Sequence, residues 1–251
     1  MVSEVRTEIT DRVAVLTLAN PARRNALDAD LSAKLATAVR TAAADGAAGA
    51  LVVTGDGPAF CAGGDLDELA GADPATLHAV YAGFLAVAEC PLPTVAAVNG
   101  AAVGAGLNLA LACDVRLAGP RARFDARFLP LGLHPGGGYT WMVQRALGPQ
   151  GAAALTLFGD VLDAAEAART GLVHRVADDV VAAAVELAGN AAAAPPDVVR
   201  TTKATLRLTS AMSTQAEAVE VEVRAQAASV RSAEFRERLA ALQARISRSA
   251  R

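Results

Sequence analysis

The chain has 251 residues, 53% of them hydrophobic, and 26 acidic against 23 basic side chains give a formal net charge of -3. That length allows a substantial core, and the charge balance offers no basic excess for a nucleic-acid backbone. Cys61, Cys90 and Cys113 are odd in number, lie in apolar surroundings and lack CxxC spacing or nearby histidines, which argues against a disulfide framework and a zinc site.

Met1–Thr10 mixes charges with isolated apolar residues and has neither the apolar run nor the cleavage site of a signal peptide, so a cytoplasmic protein is expected. Arg12–Ala19 alternates Val13, Val15 and Thr17 with Ala14, Leu16 and Leu18, the pattern of a strand buried on both faces, and Asn20-Pro21 ends it. Leu31, Leu35, Ala38 and Val39 then recur at helical spacing behind Asp28 and Asp30, acids suited to a helix N-terminus, which predicts a helix to about Ala44. Gly49–Gly55 reads as a second buried strand and leads into a glycine-rich turn from Gly55 to Gly64. The unit recurs as a helix over 74–88, a strand over 94–98, a glycine-rich turn over 100–106, a helix over 107–112 and a strand over 114–118. Such alternation implies an α/β architecture with crossover connections. The most apolar stretch, 91–118, is interrupted by Asn99, Asn108, Asp114 and Arg116 as well as glycines and prolines, so it reads as core and no membrane span is expected. Beyond Gly138 helices dominate, at 139–147, 149–158, 164–170, 180–194, 196–209, 214–228 and 232–247. Pro195-Pro196 marks the expected division between a core, residues 1–195, and a helical tail, 196–251.

Two turns carry the chemical signal: Phe60-Cys61-Ala62-Gly63-Gly64-Asp65-Leu66, and the run from Asn99 to Leu107 that contains Gly100, Gly104 and Gly106. Each follows a strand and opens a helix, and residues with little or no side chain let backbone N–H groups approach a ligand. Either run alone reads as a tight strand-to-helix turn; two, separated by one helix and one strand, can aim two N–H groups at one oxygen. Neither is a complete GxGxxG or GxxxxGK[ST] motif, which disfavours nicotinamide cofactors and nucleotides.

With these turns the chain resembles the enoyl-CoA hydratase/isomerase, or crotonase, family. The resemblance runs from about Thr7 to Phe235 through Asn20-Pro21, Arg24-Asn25-Ala26-Leu27, Phe60–Leu66, Ala97-Val98-Asn99-Gly100, Gly104-Ala105-Gly106, Ala112-Cys113-Asp114, Gly132 with Pro135, and Gly171-Leu172-Val173. It implies a spiral of repeated ββα units with a helical C-terminal region that builds homo-trimers or dimers of trimers. It implies an acyl-CoA substrate, whose CoA is the only cofactor-like group, and backbone oxyanion donors at Gly64 and Ala105. It also places Arg24 near the CoA adenine and phosphates, solvent exposure being the competing reading, and Ala62, Asp65 and Leu66 along the pantetheine and adenine path.

Hydratases of that family add water with two glutamates, and the matching positions are Asn108 and Phe128. An amide orients water but cannot take its proton, and a phenyl ring does neither. The pair resembles instead an isomerase branch of the family, in which an aspartate follows the proline of the later glycine loop; here Gly136 follows Pro135. Among the remaining polar residues, His134 can act near neutral pH but reads as structural. Asp125 reads as a surface or capping residue, Asp65 and Asp67 as helix-start acids, and Tyr139 and Trp141 as apolar wall. The expectation is an acyl-CoA enzyme with Asn108 positioning substrate or water. The rival is an acyl-CoA-binding protein without chemistry, and a purely structural oligomer is disfavoured by the two intact glycine turns.

Overall fold

The computed structural model describes residues 3–249, so Met1 and Val2 of the N-terminal stretch read above lie outside them. The chain divides into two compact units, Met1–Ala193 and Ala194–Arg251. Unit one holds strands β1 (Glu4–Thr10), β2 (Val13–Ala19), β3 (Ala50–Gly55), β4 (Ala59–Cys61), β5 (Thr94–Val98), β6 (Ala101–Val103), β7 (Val115–Ala118), β8 (Arg123–Asp125), β9 (Val161–Asp163) and β10 (Arg175–Val176). Its helices are α1 (Ala29–Ala44), α2 (Leu66–Leu69), α3 (Pro74–Glu89), α4 (Ala105–Ala112), α5 (Tyr139–Leu157), α6 (Ala164–Arg169) and α7 (Val180–Ala192).

Successive strand pairs divide between two sheets. β3, β5 and β7 join the six-stranded sheet β1-β2-β3-β5-β7-β10, while β4, β6 and β8 join the four-stranded sheet β4-β6-β8-β9. Each ββα repeat therefore adds one strand to each sheet, which is the spiral that the family resemblance implied. β2, β3, β5 and β7 run parallel, as crossover connections require. Their alternation decides which helix lies on which side. Ala14, Leu16, Leu18, Leu51 and Val53 join the core that holds Leu31 and Leu35 of α1 and Phe84 of α3. Val13, Ala50, Val52 and Val95 pack with Val180, Ala184 and Ala188 of α7. Fully burying a leucine or valine contributes ~1.5–3 kcal/mol, so a slip of one residue in β2 would exchange both cores at once.

Several elements differ from the sequence reading. β1 went unread because Arg6 and Glu8 interrupt it, although Val5, Thr7 and Ile9 alternate; it is a largely exposed edge strand paired antiparallel with β2. The strands of the smaller sheet have only three residues each, too few to show a period. α5 spans both helices expected over 139–158, and Gly148, at φ +68°, kinks it between them. All three cysteines are buried, and none is in a disulfide among the described residues. Among the described residues no helix is long and apolar enough to cross a membrane.

Unit two comprises α8 (Pro196–Thr209), α9 (Gln215–Ser229) and α10 (Ala233–Ser249). Thr214 and Glu217 form a capping box that starts α9. Leu206, Val219, Val223, Phe235, Leu239, Leu242 and Ile246 are exposed on these helices.

One polar side chain ties the first turn together. Asn25, fully buried at φ +58°, donates from Nδ2 to the carbonyls of Asp56 (2.9 Å) and Ala59 (3.0 Å) and accepts from the Asn20 N–H at 2.9 Å. Asn25→Ala would leave these buried groups unsatisfied. We expect a loss of ~2–4 kcal/mol in a urea or guanidinium denaturation curve with the slope unchanged.

Candidate active site

β4 and β6 are adjacent and parallel, so the turns that follow them lie side by side at their carboxyl ends, where ligands of α/β sheets bind. Glycine makes the approach possible. A Cβ on Gly106 would collide with the Cys61 carbonyl, and one on Gly63, which sits at φ +115°, would come within 3.0 Å of the Val103 carbonyl. Flanking motifs fix both turns through backbone bonds. Ala62 donates to the Arg24 carbonyl at 3.0 Å, Leu27 donates to Gly63 at 2.7 Å, and Asp65 donates to Leu27 at 2.9 Å. The Asn99 side chain bridges back to Gly55 and Gly57, and Gly104 donates to the Asp125 carbonyl. Under the turns, burial pushes the Cys61 thiol up to about 12, so it remains a neutral packing group.

The turns open onto one cavity of about 300 Å³. Ala62, Gly63, Gly64, Leu66, Ala105 and Asn108 all line it, so the two turns and α4 converge as the sequence suggested. The N–H groups of Gly64 and Ala105 donate to no other described residue. α4 contributes positive N-terminal potential there. Each turn opens a helix as expected, although the first, α2, is a single turn that stops at Ala70 with Gly71 beyond it.

Arg24 and Asp65 do not line the cavity. Arg24 is an exposed residue at φ +51° whose part in the site is its carbonyl. The Asp65 carboxylate is buried, caps α2 through the amides of Asp67 and Glu68, and pairs with Arg23, a partner the sequence reading did not single out. The Asp125 carboxylate is held by Arg127, with Nε at 2.8 Å. Tyr139 and Trp141, expected as apolar wall, are not part of it. Tyr139 is buried in the core with its hydroxyl 3.0 Å from that of Thr156, and burial raises its pKa. Trp141 is 58% exposed beneath the guanidinium of Arg145.

Asn108 is 1% exposed; its Nδ2 donates to the Gly136 carbonyl at 2.9 Å, and its Oδ1 has no hydrogen-bond partner. Phe128 also lines the cavity and packs against Tyr139, ring centroids 5.0 Å apart. The only titratable groups on the wall among the described residues are Tyr81, Arg127 and His134; no carboxylate is there. The His134 ring is exposed, with Nδ1 2.7 Å from the Pro135 carbonyl. Tyr81 was overlooked because it reads as one more apolar position of α3, yet it stands one turn beyond Leu77, which also faces the cavity.

The enoyl-CoA hydratase/isomerase family model matches residues 8–246. The chain belongs to this family. Its crotonase fold is shared with crystal structures of an enoyl-CoA hydratase from Polaromonas sp. JS666 (TM-score 0.90, 29% identity, 96% of this chain and 97% of that one) and one from Bacillus anthracis (TM-score 0.90, 27% identity, 96% of each). A Mycobacterium tuberculosis protein named probable enoyl-CoA hydratase is 54% identical over 246 residues, 94% of this chain and 96% of its own. The 2,3-dehydroadipyl-CoA hydratase of Escherichia coli is 38% identical over 218 residues, 85% and 86% of the two chains. An enzyme of the hydratase/isomerase type acting on an acyl-CoA is the reading these relatives share.

The site depends on contact between the two turns, which Gly106 permits. Gly106→Ala should cost ~1–3 kcal/mol of stability, the range for overpacking, and should weaken acetyl-CoA binding by calorimetry at least tenfold. Wild-type affinity in a folded variant would mean that the close approach is not needed.

Proposed function

We propose that the cavity binds an acyl-CoA thioester with its carbonyl oxygen between the N–H groups of Gly64 and Ala105, and that these amides stabilise an enolate-like state. The observation that carries this reading is the pair of unpaired backbone donors on one cavity wall, one from each turn. Chemistry beside a thioester carbonyl passes through an oxyanion, and preset donors favour that charge over the neutral ground state. The reaction we infer is proton transfer at the α or γ carbon, or an atypical hydration, with Asn108 positioning substrate or water.

Ordinary two-carboxylate hydration does not suit this wall. Water attacking the β-carbon must lose a proton and the α-carbon must gain one, and the cavity presents an amide at 108, a phenyl ring at 128 and no aspartate or glutamate. The same observation favours a second reading, an acyl-CoA-binding protein that retains the pocket without the chemistry. Ala62 and Leu66 line the cavity beside the proposed pantetheine path, while Arg24 and Asp65 would meet CoA only outside it. We further propose that the exposed apolar side chains of α8–α10 are covered in a homo-trimer or a dimer of trimers. Sedimentation at micromolar concentration should then show no monomer.

General acid–base groups contribute ~10²–10⁴-fold each, so crotonyl-CoA hydration should fall at least that far below that of a two-glutamate hydratase. Incubation of crotonyl-CoA and 3-hexenoyl-CoA in deuterated water, read by mass spectrometry, separates the two readings. The enzyme incorporates deuterium beside the thioester, whereas the binding protein binds both and exchanges neither. Hydration at the rate of ordinary hydratases would contradict the account of the acid and base.

A further inference from the structure

The proposed thioester site leaves two polar groups of the wall unexplained, the Asn108 Oδ1 and the Tyr81 hydroxyl. Asn108 lies three residues beyond Ala105 on the same face of α4, just under one turn and ~4.5 Å along the axis. That is the reach from a thioester oxygen to a substituent on the β-carbon. Because Nδ2 is committed to the Gly136 carbonyl, the amide can offer the remaining site only an acceptor. A buried acceptor without a donor costs free energy, and this one, on a 1% exposed side chain, is met by no other residue.

The complementary donor comes from α3. The Tyr81 hydroxyl lies directly against Gly136, so that a Cβ there would collide with it, and the Asn108 amide holds the carbonyl of that same glycine. Acceptor and donor thus flank one residue. The Tyr81 ring is fixed by Phe84 at a centroid distance of 5.4 Å, and burial raises the phenol's pKa, which keeps it protonated as a donor through neutral pH. A side chain at 136 would have to displace the Tyr81 hydroxyl, so in this structure the phenol from α3 occupies the space beside that loop position.

We infer that Tyr81 and Asn108 form a hydroxyl-binding subsite: the site selects acyl-CoA thioesters with a hydroxyl on the acyl chain near the β-carbon, which donates to Asn108 Oδ1 and accepts from the Tyr81 hydroxyl. This rests on the acyl-CoA reading above. A site built around a hydroxyl discriminates strongly against the analogue that lacks it, because its own polar groups are then left unpaired.

The test is calorimetric binding of each enantiomer of 3-hydroxybutyryl-CoA and of butyryl-CoA to the wild-type protein, to Tyr81→Phe and to Gly136→Ala. Tyr81→Phe keeps the ring against Phe84 and removes only the hydroxyl, whereas Gly136→Ala displaces the hydroxyl and keeps the residue. The readout is the ratio of the two affinities, which a general disturbance of the pocket would leave alone. We expect one hydroxyacyl enantiomer to bind the wild type about tenfold more tightly than butyryl-CoA, and the ratio to fall to about twofold or less in both variants. Binding of both thioesters with no wild-type preference, the result if a water occupies the subsite, would overturn the subsite alone. A preference that survives Tyr81→Phe would do the same. Binding of neither thioester would overturn the acyl-CoA reading and the subsite with it.

Discussion

Everything in this molecule that bears on chemistry depends on the close approach of two backbone turns at the carboxyl ends of the adjacent parallel strands β4 and β6. A Cβ at residue 106 would overlap the Cys61 carbonyl, and one at residue 63 would press on Val103. Only side-chain-free backbone allows the contact, and the contact sets the Gly64 and Ala105 amides on one wall. The remaining architecture supports that contact. The Arg24–Leu27 segment holds the first turn through its carbonyls and amides, Asn25 and Asn99 anchor its base, and β8 holds the second turn through Asp125. On the function proposed above, a developing oxyanion would meet preset donors there, with little reorganisation left to the reaction.

Most of the large sheet was legible in the sequence because its strands are buried on both faces and long enough to show it. Val13–Ala19 and Ala50–Gly55 carry the full hydrophobic signature, and the helices between them have clear starts, such as Asp28 capping α1 through the Leu31 amide at 2.7 Å. The small sheet was not legible, since strands such as Arg123–Asp125 take their conformation from neighbours rather than from any period of their own. β1 was hidden for a different reason. It is an edge strand with polar residues outward, and a charged, alternating segment reads as a terminus until its partner is known.

The site divides along the same line. Backbone elements were readable because glycines at fixed offsets leave a pattern in sequence, and Gly64, Ala105 and Asn108 do share one cavity. Side chains were less so. Asp65 and Arg24 sit in the same motif as the donors, yet one is consumed as a cap and ion pair and the other acts through its carbonyl. Trp141, three residues past the last glycine of its loop, faces solvent because the helix turns it outward. Tyr81 faces the cavity from a largely apolar stretch of α3, where its hydroxyl does not stand out in the sequence. What a helix residue touches across a cavity depends on packing between elements distant in sequence, and no local pattern records it. What results is a cavity wall on which Tyr81, Arg127 and His134 are the only titratable side chains among the described residues.

The most direct test of the central claim is the carbonyl stretching frequency of crotonyl-CoA carrying ¹³C at the thioester carbon, measured by isotope-edited infrared difference spectroscopy on the bound complex. Two backbone donors aimed at one oxygen polarise the carbonyl and must lower its frequency relative to the same thioester in water. A bound thioester whose frequency matches the aqueous value, or rises as in an apolar solvent, would contradict the claim that the Gly64 and Ala105 amides converge on that oxygen.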